Sequence, residues 1–140
     1  MKKSIVRRMC LCAFMLLCTI AANAEKLKFQ SYHVYTNDND KYLQANEKLS
    51  KSIVSINEKK HEVKLSLFNS ETKKWIPFVM KITYKVDLGI KTKIGTLYMC
   101  TNNNGSNCSV YVSKTKEEVF VDVHNIIEDG NVISCWMNSK

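Results

Sequence analysis

The sequence predicts an all-β fold: a single antiparallel domain of about seven to eight strands, a small sandwich or barrel, preceded by a signal peptide. Three observations predict it. Apolar and polar residues alternate with a period of two through most of the chain. Turn-forming clusters separate these runs about every ten residues. Only KYLQANEKLSK (residues 41–51) has the composition of a short helix, and it lacks a strong apolar stripe; it reads as loop or one to two turns.

The chain starts MKKSIVRRMCLCAFMLLCTIAANAEK. Lys2, Lys3, Arg7 and Arg8 form a basic head, Met9 to Ala22 is apolar except for Thr19, and Ala22-Asn23-Ala24 is a small-residue cleavage signal. The expected division is therefore a signal peptide over residues 1–24 and one all-β domain over 25–140. The apolar run is shorter than the ~20 residues of a membrane span, and no second one follows, so no transmembrane span is expected in the mature chain. Leu17 before Cys18 argues against a lipoprotein. The expected location is outside the bacterial cytoplasm, periplasmic or extracellular.

Removing the leader takes four of the 21 basic residues and lowers the net charge from +8 to +4. The 17 basic residues left are all lysines. Nucleic-acid recognition favours the planar guanidinium fork, so this surface points to no nucleic-acid partner.

Strands follow in order. KLKFQSYHVYT and SIVSIN (52–57) are strand-like. Val63, Leu65 and Leu67 alternate with Lys64 and Ser66. The longest run places Phe78, Met80, Ile82, Tyr84, Val86 and Leu88 on even positions, and its length predicts a bent or paired strand. Val110 and Val112 flank Tyr111, and Val119, Val121 and Val123 form the next run. Asn57 to Lys60, Asn69-Ser70-Glu71, Asn102 to Gly105 and Asp129-Gly130 supply turns.

Turn register gives CTNNNGSNC (100–108) a specific reading. A two-residue Asn104-Gly105 loop would point the two cysteines to opposite faces. A three-residue loop, with Gly105 as the left-handed residue, sets Cys100 opposite Cys108 and Tyr98 opposite Val110. The second register is favoured, and with it a Cys100–Cys108 disulfide in an oxidising compartment. A bridge to Cys135 and free thiols are the alternatives. The spacing lacks the close Cys pairs of a zinc site and the C-x-x-C of a redox dithiol, and no cofactor or metal is expected.

If Asp129-Gly130 is a two-residue loop, His124 falls opposite Cys135, with Asp122 on the same face. Such a row would supply a nucleophile, a base and an orienting group. The competing reading is a solvent-facing strand with an odd cysteine. His33 and His61 receive no role, and Asp38-Asn39-Asp40 reads as a turn. Phe29, Tyr32, Tyr35, Trp75, Tyr84, Tyr98 and Trp136 read mainly as core and cross-strand pairs. Trp75 and Trp136 come at strand ends, where a binding rim is conceivable.

The order SIVSIN, EVKLSLF, KITYKVDL, LYMCTNNNGSNCSVYV, EVFVDVHNII resembles small exported proteins of Bacteroidetes-type bacteria, over residues 52–126. The resemblance implies an all-β fold and carries no catalytic residues. The function expected is a non-enzymatic exported β-domain binding a small ligand or a protein at the cell envelope. The alternatives are a structural envelope accessory protein or, last, a hydrolase using Cys135 and His124.

Overall fold

Alternation and turn chemistry produce an antiparallel meander. The structure is a computed structural model and describes residues 24–35, 37–38, 41–42, 46–48, 50–90, 93–128 and 131–140. The expected leader lies outside the described residues except for Ala24. The first strands are β1 (Glu25–Phe29) and β2 (Tyr32–Tyr35). Three short pieces follow: β3 (Asn37–Asp38), β4 (Lys41–Tyr42) and β5 (Asn46–Lys48). The longer strands are β6 (Ser52–Asn57), β7 (Glu62–Asn69), β8 (Lys74–Ile90), β9 (Lys93–Asn102), β10 (Asn107–Lys114), β11 (Val119–Glu128) and β12 (Asn131–Asn138).

Strands β6 to β12 pair in chain order, each antiparallel to the next. β1 pairs with β6 and β2 pairs with β12. Only Gln30 and Ser31 separate β1 from β2. One bent stretch therefore touches both ends of the meander, and the sheet nearly closes into a barrel. Among the described residues ten of the twelve strands belong to one continuous sheet, which is the arrangement of a barrel rather than of two separate packed sheets.

The strand count exceeds the seven to eight expected, and no described residue is helical. The excess comes mainly from the segment read as loop or helical turns. Asn46–Lys48 pairs with β2 instead. Backbone hydrogen bonds to an available strand edge need no apolar stripe, so periodicity carried no signal for it.

The inward positions form the core. Val54, Ile56, Val63, Leu65, Met80, Val110, Val121, Val123, Cys135 and Met137 are among its most deeply buried residues. Ser52 is buried with them and donates to Met137 Sδ at 3.4 Å. Near one end Tyr98 donates to Glu58 Oε1 at 2.9 Å, and Lys85 reaches the same carboxylate at 3.2 Å. The β6–β7 turn is thus fastened to the β8–β9 hairpin.

Two irregularities change which face a residue occupies. In β8, Ile82 lies opposite Cys100 but Tyr84 lies opposite Met99. Thr83 is the extra residue of a β-bulge, and its hydroxyl donates to the Met99 carbonyl at 2.9 Å. In β11, Ile126 lies opposite Ile133 but Val123 lies opposite Cys135. His124 and Asn125 therefore share one opposing residue, Ser134. Asn125 takes a φ of 63°, and its N–H donates to Ser134 Oγ at 3.0 Å.

Candidate functional site

The outer face of β8 to β12 carries most of the apolar surface that the core does not use. Cross-strand register sets Val86, Leu97, Tyr111, Asp122, Trp136 and His33 in one row over six strands. Phe120 stands diagonally between Tyr111 and Trp136, at ring-centroid distances of 6.5 and 5.9 Å. His33 stacks on Trp136 at 3.8 Å with an interplanar angle of 5°. Such aromatic contacts add to area burial and hold the rings in fixed planes. Tyr111 lies flat over Gly95: a Cβ built there would sit 2.6 Å from its hydroxyl oxygen. A shallow cleft of about 230 Å³ opens beside these rings, lined by Tyr111, Ser113, Thr115, Glu118 and Phe120.

A polar cluster adjoins the row. The Tyr35 hydroxyl donates to Asp122 Oδ1 at 2.8 Å and lies 2.8 Å from His124 Nε2. That nitrogen is also 2.9 Å from Asp122 Oδ2. The β11 bulge brings His124 within reach of Tyr35, whose strand is separated from β11 by β12. Each member satisfies the others, and Tyr35 is buried while Asp122 and His124 are partly exposed. The cluster ties β2 to β11 across β12 and sets a polar margin beside the aromatic row.

The sequence-derived catalytic row does not assemble. The two-residue hairpin register holds at Glu128–Asn131, but the bulge shifts it by one before Cys135 is reached. Cys135 then points into the core opposite Val123, while His124 points outward. Burial, with the nearby Asp122 charge, pushes the Cys135 thiol up to about 12. It offers neither an exposed thiolate nor a contact with His124.

Cys100 does stand opposite Cys108, and Tyr98 opposite Val110. The Gly105 N–H donates to the Asn102 carbonyl at 3.0 Å, and Gly105 takes a φ of +81°. The turn thus has the expected three-residue loop and left-handed glycine. The expected disulfide is corrected: both cysteines are buried free thiols. The Asn102 N–H donates to the Ser106 carbonyl. Two residues along, Cys100 and Cys108 therefore form a hydrogen-bonded pair. Such pairs hold their Cβ atoms farther apart than non-hydrogen-bonded ones, toward ~5.5 Å, whereas disulfides need ~3.5–4.5 Å. Burial raises both thiols, Cys100 to about 12 and Cys108 to about 11. Two asparagines of this tip bond to the protein itself. The side-chain amides of Asn102 and Asn104 donate to the Ile127 carbonyl at 2.6 and 3.3 Å.

Trp75 lies at the start of β8 against Phe68, at 5.2 Å, and is 44% exposed. It belongs to the β7–β8 hairpin and stands apart from the row containing Trp136. The sequence reading missed Tyr111, Phe120, Leu97 and Met99 as surface residues. Their signal was apolar character on both faces of one strand, as in Val119-Phe120-Val121 and Val110-Tyr111-Val112.

Among the described residues no cluster of His, Cys, Asp or Glu is arranged to hold a metal ion, and no helix is long and apolar enough to cross a membrane. The fold and face define the class: an antiparallel, nearly closed β-barrel with a side-chain-filled core and an apolar outer arc. Comparison with known proteins finds no matching family model, curated protein or solved structure.

Proposed function

We propose that this chain is an exported, non-enzymatic β-domain that binds a protein partner across the outer face of β9 to β12. The single observation that carries the reading is the ring row Tyr111, Phe120, Trp136 and His33, held in fixed planes and flanked by Leu97 and Met99. Aromatic residues preset in this way supply contact area with little loss of side-chain entropy. The row is shallow, which suits an opposing surface better than an engulfed small molecule. Export rests on the leader over residues 1–24. The resemblance of residues 52–126 to small exported β-proteins is in keeping with the same reading.

The test is a pull-down from the envelope of the source cells, with the wild-type protein and Phe120→Lys as paired baits. A protein retained by wild type and lost with Phe120→Lys, at unchanged far-UV circular dichroism, supports the proposal. Recovery of nothing above control, or a partner indifferent to Phe120→Lys and Trp136→Ser, removes it.

A further inference from the structure

The free edge of β8 goes beyond this reading, because it concerns a row of backbone groups rather than the outer face. β7 pairs with β8 only as far as Lys81, and the Ile82 N–H then donates to the His61 carbonyl at 2.7 Å. From Tyr84 to Ile90, β8 has β9 on one side and, among the described residues, no strand on the other. Tyr84, Val86 and Leu88 are 59%, 38% and 43% exposed along this edge.

The hydrogen-bond phase of the edge follows from the ladders. Cys100 turns its main-chain groups toward β10, so Met99 and Leu97 turn theirs toward β8. Their partners Tyr84 and Val86 are thereby satisfied. The N–H and C=O groups of Lys85, Asp87 and Gly89 point to the open side. An edge of this kind is a template for another strand.

We propose that the partner at this edge is a second copy of the chain, joined antiparallel about a two-fold axis at Val86. The segment reads Tyr84-Lys85-Val86-Asp87-Leu88. In this register Lys85 lies opposite Asp87 of the second copy, and Asp87 opposite its Lys85. Tyr84 meets Leu88, and Val86 meets Val86. The residues whose backbone groups point outward are the ones this register hydrogen-bonds. The neighbouring symmetric registers, centred on Lys85 or Asp87, set like charges directly opposite and are disfavoured. Charge therefore selects one register, and the contact closes as an isologous dimer rather than a fibre. At Gly89, further along the same edge, an added Cβ would meet nothing within 4 Å.

The test is sedimentation velocity on protein expressed from the complete sequence, across a concentration series. Wild type is expected to show a monomer–dimer equilibrium. Asp87→Lys and Lys85→Asp each place like charges together and should weaken it on the order of tenfold. Lys85 also reaches Glu58 within its own chain at 3.2 Å, so the double variant K85D/D87K is made together with Glu58→Gln. It then restores opposite charges across the axis without a like-charge contact inside the chain, and should return the dimer. A protein that stays monomeric up to its solubility limit overturns the proposal. So does a dimer unmoved by the single reversals, or one the double variant does not rescue. None of these outcomes bears on capture of a partner by the Phe120 face.

Discussion

Along β8, Phe78, Met80 and Ile82 are buried, whereas Tyr84, Val86 and Leu88 are exposed, although all six lie on even positions of one alternating run. The first half runs between β7 and β9 with its apolar side facing the core. Among the described residues the second half pairs with β9 alone, and its apolar side faces out. Thr83 makes the difference: one bulge residue reverses the face of everything after it. Identical sequence patterns can therefore build a core or a surface, and an apolar row placed outside marks a place for association.

Several measurements bear on this contrast. The largest effect is all-or-none. The core-facing thiols should be sealed, so native protein lacking the leader over residues 1–24 should give no reaction with a thiol reagent at pH 8. Cys100, Cys108 and Cys135 should all react after denaturation. A reagent count of one thiol in the unfolded, non-reduced chain would restore the Cys100–Cys108 disulfide. Next, Met80→Ala should lower unfolding free energy by about 2–5 kcal/mol. Val86→Ala should change it by less than ~1 kcal/mol in dilute, monomeric samples. Equal losses in urea titrations would break the distinction between the halves. Gly95→Ala should cost about 1–3 kcal/mol, because the added methyl must displace the Tyr111 ring at the boundary of the outer face.

The smallest effect concerns the tether of the second half. Glu58 is held below its ordinary value of 4.5, chiefly by the hydrogen bond from Tyr98 and then by Lys85. A depressed carboxylate stabilises the fold above its unfolded pKa and loses that contribution as pH falls through the folded value. Stability should therefore decline below about pH 4.5, and Tyr98→Phe should flatten that part of the profile. Because Glu58 is half exposed, solvent screening keeps the change small. An identical acid limb in wild type and Tyr98→Phe would show that the tether contributes nothing.

Much of the barrel was legible. SIVSIN is β6 as read, the Val110–Val112 and Val119–Val123 alternations are core strands, and Gly105 closes the expected turn. The face and its cluster were not. Tyr35, Asp122 and His124 come from strands 87 or more residues apart in part, and nothing local marks their meeting. The Cys135–His124 expectation failed at the β11 bulge, since simple counting from a turn assumes an unbroken ladder.

What the sequence by itself determined is the all-β class, most strand positions and the turn at Gly105, because alternation and turn chemistry are local properties of neighbouring residues. Only the tertiary structure decided that one sheet nearly closes on itself, that Cys135 faces inward, and that Tyr84, Val86 and Leu88 face out. Those outcomes depend on bulges and on pairing between distant strands, whose energies are set by partners that no local pattern names.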